Sequence, residues 1–229
     1  MPAKPSAPRT DSELSEFLLR ACHDLRGPLR SVRIYADLLA KKRDGDGPGV
    51  EQSLSFMSNG AITAGAMVDG LSDYALALGI DASRFQPTPL DVIVRLAIAK
   101  LAAPIRESDA KVSYGELPSV TGDADRLLLL FEYLLDHALR RRGENPLHVS
   151  IAAEAQDGGW LFTVRDTGSA VAAESLEKAF TPFARLHGNQ RPGPGLATCR
   201  VIVERHGGNI WVEAGGCEIR FTLPEAPLG

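Results

Sequence analysis

Two apolar stripes separated by a six-residue breaker constrain this chain more than any other feature. Leu14, Leu18, Ala21, Leu25, Leu29, Val32, Ala36 and Leu39 recur at spacings of three and four residues. That period lines one face of an α-helix. Asp11 or Ser12 caps the start, and Lys41, Lys42 and Arg43 suit the negative C-terminal end. DGDGPG, residues 44–49, stops the pattern. A second stripe follows in Val50, Leu54, Met57, Ala61, Ala64, Val68, Leu71 and Leu78, with Tyr74 or Ala75 filling its last gap. Two long helices joined by a short loop make an antiparallel hairpin. One hairpin leaves much of both stripes bare, whereas two hairpins bury them as a four-helix bundle with coiled-coil-like packing. Residues 11–79 therefore read as a dimerising helical hairpin. Gly60, Ala61, Ala64, Gly65 and Ala66 permit close helix contact.

The remainder reads differently. Residues 1–10, MPAKPSAPRT, read as a disordered tail. After Gly79 short strands and helices interleave without regular βαβ alternation, which predicts an α+β domain over residues 80–229, a sheet covered by helices on one face. Asp91–Ala102, Asp123–Arg142, Ala172–Ala179 and Leu196–His206 read as helices, the last stopped by Gly207 and Gly208. Lys111–Tyr114, Ser119–Thr121, His148–Ala153, Trp160–Arg165, Asn209–Glu213 and Cys217–Leu223 read as strands. The net charge of -4 gives no electrostatic footprint for nucleic acid. Cys22, Cys199 and Cys217 form no CxxC pair and read as reduced thiols. No apolar run reaches the length of a membrane span, so a cytoplasmic location is the expectation, with the homodimer expected from the hairpin at 11–79.

Chemistry concentrates in a few stretches. HDLRGPL, residues 23–29, places His23 beside Asp24 and Pro28 five residues on, inside the first helix. An imidazole nitrogen attacks phosphorus only when the ring proton sits on, or leaves from, its other nitrogen, and a neighbouring carboxylate can hold that proton. Both side chains are expected off the apolar seam, towards solvent. Pro28 lacks an N–H, which frees the carbonyl of Asp24 and bends the helix just past the histidine. On these residues alone, a surface histidine in a kinked helix is an equal alternative. Asp166 ends a strand and Gly168 lets the following backbone turn closely. Gly193 and Gly195 precede a helix beginning near Leu196, whose free N–H groups suit a phosphate.

In order along the chain, HDLRGPL resembles the phospho-acceptor box of sensor histidine kinases, and DTGSAV (166–171) their first glycine box. FTPFARL (180–186) resembles their phenylalanine box, and GPGLATC (193–199) their second glycine box. The stretches RLHG and IVERHGG look most like the kinase cores that follow phytochrome-type sensors. The resemblance implies a dimerisation and phosphotransfer hairpin followed by a Bergerat-type ATP-binding domain. It implies His23 as phospho-acceptor and Asp24 as its proton partner. Asp166 would accept the adenine amino group, and Gly168, Phe183, Arg185, Gly193, Gly195 and Leu196 would surround the nucleotide. ATP and Mg²⁺ are the implied cofactors, and a response regulator receiver domain is the implied partner.

The sequence departs from that pattern where metal and phosphates belong. The helix over 123–142 should carry two asparagines four residues apart, but Tyr133 and His137 stand there. Magnesium prefers oxygen ligands in octahedral geometry, which neither residue supplies well. Glu132 and Asp136 lie about 100° away around the helix. Ala170 replaces a glycine, and the segment between Leu186 and Gly193 is short. Arg140, Arg185 and Arg191 remain as positive charges for an anion. Three functions stay open: an ATP-using autokinase, an ATP-independent histidine phosphotransferase, and a non-catalytic receiver-binding scaffold.

Overall fold

The computed structural model describes residues 11–41, 48–142, 146–168, 180, 195–213 and 216–225. The expected tail 1–10, most of the breaker, the helix expected over 172–179, Ala170, Phe183, Arg185, Arg191 and Gly193 lie outside the described residues.

Helix α1 (Asp11–Lys41) and helix α2 (Pro48–Leu78) form the hairpin. Pro48 opens α2, where a missing N–H costs nothing. Pro28 sits inside α1, which continues through it. Gly60 of α2 faces that point: a Cβ there would lie 2.9 Å from the Pro28 carbonyl oxygen and 3.0 Å from Val32 Cγ2. The missing side chain of Gly60 thus lets the two backbones meet beside Pro28. Tyr35 stacks on Phe56 with centroids 4.6 Å apart, and Ala21, Met67, Leu25 and Leu71 make a small core near His23.

The expected stripe on α2 is split between two faces. Ser53, Gly60, Ala64 and Met67 turn inward, whereas Leu54 and Val68 remain about half exposed at 52% and 50%. Leu29 of α1 is also exposed. The intrachain seam uses the small residues, and the bulkier aliphatics form a second, bare stripe.

Tyr74, Ala77 and Ile80 belong to the main core rather than to the hairpin. From there the chain makes a short 3-10 turn (Ala82–Arg84), strand β1 (Gln86–Pro89) and helix α3 (Leu90–Lys100). The helix expected to end at Ala102 breaks at Leu101, and a new helix α4 (Ala102–Glu107) follows. Pro104 explains the break, since its missing N–H is tolerated only in a first turn. Then come β2 (Lys111–Tyr114), β3 (Ser119–Gly122), α5 (Ala124–Arg140), β4 (His148–Gln156), β5 (Gly159–Asp166), α6 (Gly195–Arg205), β6 (Ile210–Val212) and β7 (Glu218–Pro224).

Five strands form one sheet in the order β2-β4-β5-β7-β6, and β1 pairs with β3 separately. β2 and β4 are parallel, and the remaining pairs are antiparallel. The hairpin between β4 and β5 is tighter than its sequence suggests, turning on Asp157 and Gly158, the latter at φ +81°. Leu127, Leu130, Phe131, Leu134, Leu135 and Ala138 of α5 are buried. Phe131 and Phe162 both pack on Phe221.

The start of α5 is fixed twice. Asp123 caps it by accepting from the Arg126 N–H at 3.1 Å. His206 Nε2 accepts from the Asp123 N–H at 3.0 Å, while Nδ1 lies 2.7 Å from the Ile202 carbonyl oxygen. His206 is buried and stacked on Phe85, and burial lowers its pKa.

Candidate functional site

His23 stands on the open side of α1. Its side chain is 81% exposed, and Nδ1 lies 3.2 Å from Asp24 Oδ1. Asp24 departs from the expectation, since its side chain is only 14% exposed. Asp24, Pro28, Ser31 and Tyr35 share one partly covered side of α1, four or three residues apart. With the ring proton on Nδ1 and held by Asp24, Nε2 carries a bare lone pair towards solvent. Pro28 lies close by on the same side and meets Gly60, so the exposed imidazole sits above a firmly packed helix contact.

Asp166 lies at the end of β5, far along the chain from His23, and is only 7% exposed. Its Oδ1 accepts from the Gly168 N–H at 2.8 Å. Its Oδ2 is 3.7 Å from Nη1 of Arg141, whose side chain is itself 4% exposed. Arg141 Nη1 also donates to the Gly216 carbonyl, and Nη2 lies 3.6 Å from Cys217 Sγ. Gly168 is required here by the protein itself. A Cβ would fall 2.5 Å from the Arg141 carbonyl oxygen and 2.8 Å from Asp166 Oδ1. Burial pushes the Asp166 carboxyl up, and Arg141 and the Gly168 N–H pull against it.

Tyr133 and His137 occupy the face of α5 next to α6. Gly195 opens α6 against the Tyr133 ring, 3.5 Å from a Cβ placed there, and Leu196 is buried. The Tyr133 hydroxyl donates to Asp73 Oδ2 of α2 at 2.7 Å. Burial, then Asp73, push its pKa above the usual tyrosine range. Burial, then Arg141 and Arg140, push His137 down to about 4, so its imidazole is neutral at pH 7. Glu132 pairs with Lys100 at 2.6 Å, and Asp136 with Arg140 at 2.7 Å. Arg140, expected as charge for an anion, is therefore already engaged.

Residues 122–227 match the family described as histidine kinase-, DNA gyrase B-, and HSP90-like ATPase. The chain is 31% identical over 223 residues to cyanobacterial phytochrome A of Nostoc sp., covering 94% of this chain and 29% of that protein. It is 30% identical over 225 residues to the phytochrome-like protein Cph1 of Synechocystis sp., covering 94% of this chain and 30% of that one. The catalytic domain of histidine kinase ThkA superposes with a TM-score of 0.56 at 27% identity, covering 63% of this chain and 97% of that one. ThkA in complex with response regulator protein TrrA gives a TM-score of 0.71 at 24% identity, over 94% of this chain and 63% of that one.

Residues 122–227 belong to this ATPase family, and the chain as a whole resembles a sensor histidine kinase catalytic core. This core spans under a third of the length of the two phytochrome relatives. No helix among its described residues is long and apolar enough to cross a membrane.

The matched family is one of ATPases, but the described residues of this core do not fit a magnesium-bound nucleotide. The Tyr133 hydroxyl is committed as a donor to Asp73, and His137 offers a neutral nitrogen where a hard cation needs oxygen. Glu132 and Asp136 are tied to cations of the protein, and no cluster of three metal-ligating side chains exists among the described residues. The carboxylate implied for adenine faces a guanidinium.

Arg141 is a site residue that no sequence motif singles out; it stands between Arg140 and Arg142 at the end of α5. The signal was present in the spacing. Arg141 follows Leu134 by seven residues and Ala138 by three, which puts it on the buried stripe of α5.

Proposed function

We propose that this core works in two-component signalling as a histidine phosphocarrier, with His23 exchanging a phosphoryl group with an aspartate of a response regulator receiver domain. The observation that carries the proposal is the His23–Asp24 pair, one nitrogen held by a carboxylate and the other bare. Nε2 attacks the phosphorus of the receiver's acyl phosphate. A nitrogen–phosphorus bond forms, the bond from phosphorus to the acyl oxygen breaks, and the receiver carboxylate leaves. The Nδ1 proton stays on the ring, and the positive charge the ring gains lies beside Asp24. Transfer back to a receiver is the same step reversed. The likeness to ThkA, a kinase seen with a response regulator, supports the choice of partner.

In this reading residues 11–79 pair with a second copy through Leu29, Leu54 and Val68, residues 80–229 act as a docking domain, and the protein works in the cytoplasm. Asp24 orients the proton and Pro28 sets the bend.

The test is incubation with a receiver domain carrying labelled phosphate on its aspartate, beside incubation with labelled ATP and magnesium. Acid-labile label should appear on the chain from the receiver and vanish in His23→Ala. Label on His23 from ATP would replace this reading with an autokinase. No label from either source would leave a receiver-binding scaffold.

A further inference from the structure

The nucleotide half of this core carries a built-in occupant at its most selective point. Asp166 is a buried carboxylate at a strand end, and both of its oxygens face donors of the same chain. The Gly168 N–H takes Oδ1 at 2.8 Å and the Arg141 guanidinium stands 3.7 Å from Oδ2. The guanidinium is not a passing surface group. It is held by the Gly216 carbonyl and stands near Cys217 Sγ, which is itself 3.6 Å from the Gly168 carbonyl oxygen. Arg141 follows directly on the helix that carries Tyr133 and His137, so its planar fork is delivered to Asp166 by a packed backbone.

We propose that Arg141 is an internal competitor for purine bases: its guanidinium occupies the side of Asp166 that an adenine amino group would need, and it excludes adenine nucleotides from this core. The inference rests on the reading of Asp166 as the purine-facing carboxylate. The physical reason is a mismatch of exchanges. A purine amine offers Asp166 one neutral donor. For the amine to take the guanidinium's place beside Oδ2, the buried cation must move off, and it is then left uncompensated at 4% exposure. Breaking a buried ion pair costs more than one such hydrogen bond returns. Gly168 packs directly on the Arg141 backbone, since a Cβ there would fall 2.5 Å from the Arg141 carbonyl oxygen, so the two segments hold each other in place beside Asp166. This core therefore stays folded and closed at the base site in the absence of any nucleotide.

The test is the affinity of the full chain for ADP without added metal, by calorimetry or equilibrium dialysis. Arg141→Ala, and Arg141→Met as a variant that keeps the buried stem, should bind ADP about tenfold or more tightly than the unaltered chain. Adding Asp166→Asn to either should remove the gain, because the uncovered carboxylate is what receives the base. Far-UV circular dichroism and thermal unfolding establish that each variant is folded. Equal or weaker ADP binding by both folded variants overturns the proposal. If neither variant folds, the unaltered chain still decides: micromolar ADP binding that Asp166→Asn abolishes overturns the proposal, and failure to bind ADP at millimolar concentration supports it. Binding that responds to Arg141 but ignores Asp166→Asn would leave Arg141 obstructive and sink the reading of Asp166. Phosphotransfer to His23 is measured separately and is independent of all these outcomes.

Discussion

The hairpin and the α/β half treat their polar groups in opposite ways. In the hairpin the proposed phosphocarrier, His23, is 81% exposed, and a single carboxylate lies beside one of its nitrogens. In the α/β half Asp166, Arg141, Glu132, Lys100, Asp136, Arg140 and Tyr133 are all engaged with other residues of the chain. A group meant for exchange between proteins has to be reachable, and its chemistry lies in what has been left unpaired. A site whose donors and acceptors have found one another is finished as structure. The two halves share a fold with histidine kinases, and among the described residues the contrast is between one exposed imidazole and a set of polar groups already paired within the chain.

The contrast breaks most visibly at the bare aliphatic stripe. Leu54 and Val68 are exposed in one chain, so their expected role is to meet a second hairpin. Val68→Glu places two carboxylates in that seam and should weaken association roughly 100-fold. Sedimentation at micromolar concentration should show the unaltered chain as a dimer and the variant as a monomer. A monomeric unaltered chain would remove the hairpin's claim to be incomplete.

Acid tests the other half. His137 is held down to about 4, and its unfolded value is near 6.5, so the unfolded chain binds a proton that the folded chain refuses between these values. The stability this leaves is full above about pH 6.5 and falls as pH drops, with about 2 kcal/mol lost by pH 5. His206 acts in the same direction. Thermal unfolding at pH 7.5 and pH 5 should show the loss, and His137→Gln should flatten it. A slope unchanged in that variant would mean that His137 is not what the acid reaches.

The smallest effect belongs to the helix contact beneath His23. Gly60→Ala pushes a methyl group to 2.9 Å from the Pro28 carbonyl oxygen. Overpacking of that kind outweighs the better helix propensity of alanine by about 1 kcal/mol. Urea unfolding of the full chain should register it, and a neutral or stabilising change would show that the two helices are free to separate there.

Much of this was legible in the sequence, for reasons of period and punctuation. The hairpin follows from apolar residues at threes and fours on either side of a glycine-rich breaker, and α5 from the same spacing behind an Asp cap. The His23–Asp24–Pro28 cluster proposed to carry phosphate was legible because those residues sit in adjacent turns of one helix. What escaped were relations between distant segments. Tyr133 and Asp73 are sixty residues apart, and nothing local announces their hydrogen bond. Asp24 is partly covered because of the helix beside it, and its neighbours in sequence do not reveal that. Arg141 was hidden by composition: three arginines in a row suggest a solvated helix end, while only the spacing from Leu134 and Ala138 shows that the middle one points inward.

Helix α2 has two employments along one rod. Its middle turns lie against α1 through Gly60, Ala64 and Met67, and its last turns are embedded in the other half through Tyr74 and Ala77, with Asp73 bonded to Tyr133. A rod gripped at its middle and at one end transmits torsion between the two grips. Any twist imposed on the hairpin near His23 must therefore reach α5, the same helix that ends in the guanidinium facing Asp166, or else rupture the grip at Tyr133.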